Sequence, residues 1–169
     1  MPKKVDPLNK KVMNAAVPMI TVSDVKAAAA FYQKAFGFKK QGAVMKGPDG
    51  KALHAELRMR DTTIMLGPEM PERGARSAKT IGGSPMSLYL MVENADKVFA
   101  KAVKAGAKPM GEVTDMFWGD RCGAVTDPDG NIWTVATHMA NPTAAEINKA
   151  MKAQMAQMAE KAKAAAGGS

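Results

Sequence analysis

Long apolar runs, paired cysteines and aromatic side chains are what this 169-residue chain has least of. No apolar run approaches the ~18 residues that a membrane-spanning helix needs, so no membrane partner is expected. The stretch from Val12 to Val22 is interrupted by Asn14 and Pro18, and the basic start (Lys3, Lys4, Lys10, Lys11) is therefore not expected to lead a cleaved signal peptide. A lone cysteine, Cys122, cannot form an internal disulfide and suits a reducing compartment, which points to the cytoplasm. Aromatic residues are 5% of the chain, too few to interleave a basic stripe with stacking rings. The lysines behind the formal charge of +8 are spread over both termini and two helices. They read as a solvated basic surface that favours anionic ligands, and no nucleic-acid partner is expected.

What is present is a pattern that occurs twice. Val22-Ser23-Asp24 opens a helical run over Val25–Gly37, and Val92-Glu93-Asn94 opens another over Ala95–Gly106, the two valines lying 70 positions apart. Capping-type residues begin each run, and a glycine suited to a left-handed cap ends it. A short alternating strand precedes each helix, Val17–Val22 and Ser87–Val92. Three strand candidates follow each: Phe38–Val44, Ala52–Arg60 and Thr62–Leu66 in the first half, then Lys108–Val113, Arg121–Thr126 and Asn131–Thr137 in the second. Turn signals separate them at Pro48-Asp49-Gly50, Gly119-Asp120 and Asp127-Pro128-Asp129-Gly130, where proline presets φ and glycine accepts positive φ.

The expected architecture is α+β, with two tandem βαβββ modules forming a curved mixed-sheet cup, plus a C-terminal helix. Its parts are a basic N-terminal extension (1–15), a domain over 16–138 (modules 16–67 and 86–138, linker 68–85) and a C-terminal helix and tail (139–169). The Gly-, Pro- and Arg-rich linker is long enough for a mobile lid. In the C-terminal segment, Thr143 and Glu146 form a capping box, and Ile147, Met151, Met155 and Met158 make one stripe expected to pack on a partner chain or on a neighbouring surface of its own chain.

Period-two alternation sorts the strand faces. Ile20 and Val22, Ala55 and Leu57, Leu88 and Leu90, and Trp133 and Val135 fall on the faces that should bury against the helices. The opposite faces carry His54, Glu56, Arg58, Met65, Ser87, Tyr89 and Thr134, a few orienting polar groups on an apolar wall, as a small-molecule pocket requires. His54 and Glu56, two apart on one strand, both point into the expected cup, where a third donor such as Asp120 could join them around a metal or where Glu56 could orient His54 as a base. Asp120 and Arg121 read either as a structural ion pair or, for Arg121, as the partner of an anionic ligand. Arg121 could also lower the pKa of Cys122, although a lone cysteine in a strand usually only packs. His138, after the last strand, is expected at the surface.

The duplicated modules, the opening Pro-Met-Ile-Thr-Val-Ser-Asp with Ala-Phe-Tyr-Gln-Lys-Ala-Phe-Gly, and the closing Asp-Pro-Asp-Gly-Asn-Ile-Trp resemble the vicinal oxygen chelate (glyoxalase/bleomycin-resistance/dioxygenase) superfamily over about residues 16–138. His54-Ala-Glu-Leu-Arg58, Thr63-Ile-Met-Leu66, Trp118-Gly-Asp-Arg121 and Asp127-Pro-Asp-Gly130 are similar to its PhnB-like branch. The resemblance implies four metal-ligand positions, on the first and last strands of each module, which fall on Val17, Met65, Ser87 and Thr134. None is an imidazole or carboxylate, so no metal and no cofactor is expected. The resemblance also implies pairing of modules between chains, hence a homodimer. The leading expectation is a metal-independent protein that binds and sequesters a small aromatic or anionic compound through His54, Glu56, Arg58, Met65, Tyr89, Trp118, Arg121 and Thr134. The alternative is an enzyme (lyase, isomerase or hydrolase) using His54 and Glu56, with a noncanonical metal as one option.

Overall fold

The computed structural model describes residues 6, 7, 9 and 13–166. The lysines of the basic N-terminal extension and the Gly-Gly-Ser tail lie outside the described residues. The first module is β1 (Met19–Val22), α1 (Val25–Phe36), β2 (Lys39–Lys46), β3 (Ala52–Met59) and β4 (Thr62–Pro68). The second is β5 (Ser87–Met91), α3 (Ala95–Ala105), β6 (Lys108–Pro109), β7 (Thr114–Asp115), β8 (Asp120–Thr126) and β9 (Ile132–His138). Between them stand a 3₁₀ turn (Pro71–Arg73) and the short helix α2 (Ala78–Ile81), and α4 (Ala144–Ala166) follows the second module.

Each module makes one open sheet, ordered β1-β4-β3-β2 and β5-β9-β8-β6, with β7 beside β8. The first strand lies parallel to the last, β1 with β4 and β5 with β9, and the other pairs are antiparallel. The α+β architecture of tandem modules with a C-terminal helix is therefore observed, and among the described residues no ladder joins the two sheets.

The helix ends follow from local chemistry. Asp24 accepts a hydrogen bond from the Ala27 amide and Asn94 one from the Lys97 amide, both at 2.9 Å, satisfying donors that the first turn leaves free. Gly37 closes α1 at a φ of 87°, a conformation that a side chain would disfavour. Buried Val25, Ala29, Tyr32 and Phe36 give α1 the stripe that it lays on β3 and β4, while α3 packs on β8 and β9, and the two helices also touch each other. Both sheets thus share one core, in which Trp133 of β9 sits among Tyr32, Phe36 and Phe38 of the first module at centroid distances of 5.1, 4.8 and 6.1 Å.

Three expectations change. The strand expected over Lys108–Val113 shortens to the two-residue β6, with β7 following beyond it, because Pro109 offers no amide proton and Gly111, at a φ of 152°, turns the chain out of the ladder. The linker is not a loose lid. The amide of buried Ser77 donates to Glu69 Oε1 (2.7 Å), and the Lys79 amide donates to the Asp129 carbonyl (2.7 Å), pinning α2 to the second module. Nor does the methionine stripe of α4 seal a surface of its own chain, since Met155 and Met158 are 63% and 61% exposed.

Candidate functional site

Alternation along the strands places the polar residues as expected on the faces turned away from the core. On the first sheet, His54 Nε2 stands 3.5 Å from Glu56 Oε1, a loose contact between half-buried groups. Arg58 donates to Thr63 Oγ1 (3.2 Å) and to its near neighbour's Arg60 carbonyl (3.1 Å), and buried Thr63 is also within 3.2 Å of Gln41 Oε1. Met65 stands in register with Met19, which is largely exposed.

The second sheet holds a tighter cluster. The Tyr89 hydroxyl donates to Asp120 Oδ2 at 2.8 Å and receives the Trp118 indole N–H at 3.4 Å. The other carboxylate oxygen of Asp120 meets His138 Nδ1 at 2.8 Å, and His138 Nε2 faces Asn141 Oδ1 at 2.9 Å. Asp120 and His138 are register partners across β8 and β9, and Thr134 faces Tyr89 across β9 and β5. The backbone is shaped for this arrangement. The Gly119 carbonyl receives the amides of Met139 and Ala140 (2.8 and 3.0 Å), drawing the segment that carries Asn141 over the Trp118 turn. Gly119 has a φ of 99°, and a Cβ there would overlap the Ala140 carbonyl oxygen, so only glycine fits.

The electrostatics follow from these contacts. Hydrogen bonds from His138 and Tyr89 hold the Asp120 carboxyl below the usual carboxylate range. The same bond to Asp120, with that to Asn141, raises His138 above an ordinary histidine. Burial pushes the Tyr89 phenol up to about 12, with Asp120 adding to the shift and the Trp118 N–H opposing it.

Arg121 does not join this cluster. It alternates to the helix side of β8, where its guanidinium forms a bidentate pair with Asp96 of α3 (2.8 Å to each oxygen) and reaches Asp115 of β7 at 3.0 Å. The structural reading of Arg121 is the one its geometry favours, although its ion-pair partner is Asp96 rather than Asp120. Cys122, on the opposite face, is buried, and burial raises its thiol pKa instead of lowering it. Asp120, spent on Tyr89 and His138, is not a third donor for His54 and Glu56. His138 is the functional candidate that sequence reasoning passed over. The signal was available, since Thr134, Ala136 and His138 alternate onto the same face, but the strand was expected to end at Thr137.

The positions that the resemblance implies for metal ligands, Val17, Met65, Ser87 and Thr134, offer no imidazole or carboxylate, a set that does not fit a divalent ion. Among the described residues, no group of three or more His, Cys, Asp or Glu side chains is placed to hold one. A recess of about 980 Å³ lies elsewhere, between the start of α1 and the β2–β3 hairpin. Its walls carry Lys26, Lys40, Lys46 and Lys51, all exposed, so it is a solvated basic groove without an aromatic wall.

Comparison with known proteins agrees with this architecture. An uncharacterised protein of Mycobacterium tuberculosis is 36% identical over 152 residues, covering 88% of this chain and 89% of the relative. The crystal structure of an Arabidopsis thaliana gene product, 31% identical, superposes with a TM-score of 0.59 over 74% of this chain and 99% of its own. A glyoxalase/bleomycin resistance protein/dioxygenase family enzyme from Burkholderia phytofirmans, 20% identical, shares the fold with a TM-score of 0.57, over 72% of this chain and 95% of its own. The family model for the Glyoxalase/Bleomycin resistance protein/Dioxygenase superfamily matches residues 14–135, and with modules, register and motifs in agreement, the chain belongs to that superfamily.

Proposed function

We propose that this chain is a cytoplasmic, metal-independent binding protein of the PhnB-like branch that holds a small aromatic compound bearing an anionic group. One observation carries the reading: the open face of the second sheet presents the half-exposed Tyr89 ring and the Trp118 indole, joined by hydrogen bonds over Asp120, while the family's metal positions carry no competent ligands. Paired rings fixed by second contacts make a stacking surface of low entropic cost. Thr134 contributes a neutral hydroxyl on the same face. The ligand expected is flat and unchanged by binding. Elemental analysis of protein purified without chelator tests the metal half of the reading, and about one zinc, nickel, iron or manganese per chain would overturn it.

We further infer that a second copy of the chain completes the pocket. Met19 on one open face and Tyr89 on the other are 59% and 50% exposed, so neither face covers the other within the chain. A partner could bring His54, Glu56, Arg58 and Met65 of one copy opposite Tyr89, Trp118 and Thr134 of the other. The exposed stripe of α4 supports this, since a solitary helix near 20 residues is marginal in water and needs a surface. Deleting residues 143–169 should lower the scattering mass or the melting temperature; no change in either would show that α4 packs on nothing.

The enzyme alternative is favoured by the His54–Glu56 contact, which orients an imidazole on the first open face. If product forms, His54→Ala should abolish turnover, and wild-type turnover in that variant would remove this alternative.

A further inference from the structure

We propose that His138, rather than either arginine expected to do so, is the group that takes the anionic oxygen of the aromatic ligand, at the position that the Asn141 amide oxygen now fills. This rests on the reading of the second open face as an aromatic pocket and adds the identity and protonation state of its polar anchor.

The argument begins with the ring's two neighbours. Nδ1 is 2.8 Å from a carboxylate oxygen and Nε2 is 2.9 Å from an amide oxygen. With a carboxylate at Nδ1 and an amide at Nε2, a doubly protonated imidazolium can donate from both nitrogens, and the Asp120 charge favours that form over the neutral ring. The groups around it come from two strands, β5 and β8, and from the segment beyond β9. Asp120 on β8 supplies the negative charge, Tyr89 on β5 donates to that carboxylate, Cys122 on β8 is a buried thiol with a raised pKa, and Asn141 is neutral.

The two contacts differ in kind. Asp120 is three-quarters or more buried at its side chain, bonded through both oxygens, and fixed by the strand register. Asn141 is exposed and lies in the segment between β9 and α4. An anionic ligand oxygen replacing the Asn141 amide oxygen keeps the Nε2–H bond and turns it into an ion pair, which a neutral amide oxygen does not make. His138 is itself about half exposed, so a ligand from solvent reaches it. The imidazole shares Asp120 with the Tyr89 hydroxyl, which in turn receives the Trp118 N–H, so a molecule that stacks on those rings would carry its anionic substituent toward His138.

The arginines lack such an opening. Arg121 is held by two carboxylates on the helix side of β8, and Arg58 already serves Thr63 and the Arg60 carbonyl on the other sheet. Of the two histidines, His54 has only the 3.5 Å contact to Glu56 to fix it.

The test uses two fluorescent probes of similar shape on the full chain: 8-anilinonaphthalene-1-sulfonate, an aromatic anion, and the uncharged N-phenyl-1-naphthylamine. Below the His138 pKa the anion should bind about three- to tenfold more tightly than above it, as expected for a charge-assisted bond that solvent partly screens, while the neutral probe's affinity stays level. His138→Gln should abolish that pH dependence and weaken the anion by the same factor. His138→Arg, which keeps the charge, should retain anion binding across the range without the pH step. If His138→Gln does not fold, the wild-type pH series and the arginine variant still decide. Equal, pH-independent binding of both probes overturns the role of His138 and leaves the aromatic pocket standing. Failure of both probes to bind overturns the pocket and this inference with it.

Discussion

In the first module, β3 and β4 are joined by Arg60 and Asp61, a two-residue turn at the surface in which Asp61 accepts only a long bond from Thr62 (3.3 Å) among those described. In the second, the equivalent turn between β8 and β9 carries Asp127, buried and bonded to five donors. Its oxygens receive the Tyr32 hydroxyl (2.6 Å), the Trp133 indole (3.1 Å), the amides of Asp129 and Asn131 (2.9 and 2.8 Å) and the Asn131 side chain. Asp129 adds Ser23, through its amide at 2.8 Å and its hydroxyl at 2.5 Å. The same place in the repeat is a solvent-facing bend in one copy and the bolt between modules in the other. Their open faces differ in the same direction, a His–carboxylate contact of 3.5 Å on the first against 2.8 Å on the second. Duplication preserved the backbone plan, while the second copy took on both the structural joint and the better-organised polar site.

Breaking the two turns should separate them most sharply. Asp127→Ala leaves the buried Tyr32 hydroxyl and Trp133 N–H without their acceptor, at about 3–5 kcal/mol of stability, whereas Asp61→Ala should cost under about 0.5 kcal/mol. Denaturant titration of both variants checks this, and equal losses would dissolve the distinction.

A smaller effect concerns the tyrosines, one in each half. Tyr32 is raised well above 10 by burial and Asp127, and Tyr89 to about 12. For an acid whose folded pKa is raised, the stabilising effect is present below the unfolded value near 10 and is lost as pH rises through the folded value. Ultraviolet titration of the folded protein should therefore show no phenolate step near pH 10, with Tyr89 ionising about 2 units later. A full tyrosine step near 10 would mean that neither phenol is buried and bonded in solution as described.

The smallest effect is expected at Arg121. Its ion pairs with Asp96 and Asp115 are largely exposed, so Arg121→Ala should lower the melting temperature by only about 2 °C or less and leave the affinity for 8-anilinonaphthalene-1-sulfonate unchanged. A several-fold loss of that affinity would return Arg121 to the ligand site.

Helix positions, turns and strand faces were legible because each follows from local chemistry: Asp24 and Asn94 cap, Gly37 and Gly106 terminate, and Ala55 and Leu57 alternate with His54 and Glu56. Tyr89 and Thr134 were placed on the open face for the same reason, whereas Trp118, in the turn before β8, was named as a stacking surface without that support. Less legible was anything set by contacts distant in the chain. Arg121 looked available until Asp96, 25 residues away, claimed it, and Asp127 looked like turn punctuation until Tyr32, 95 residues away, appeared against it. His138 lies at the surface as expected, but its contact with Asp120 was not legible, because Asp120 becomes its neighbour only through the β8–β9 register and the strand was expected to end one residue earlier.

The central claim is that the second open face holds an aromatic molecule without a metal. Native mass spectrometry of the protein purified from its own host tests it most directly. The account predicts a mass increment of one small organic molecule per pocket, released chemically unchanged, with no divalent metal at stoichiometric level. A stoichiometric metal, or release of a molecule that the protein converts to product on re-addition, would contradict it.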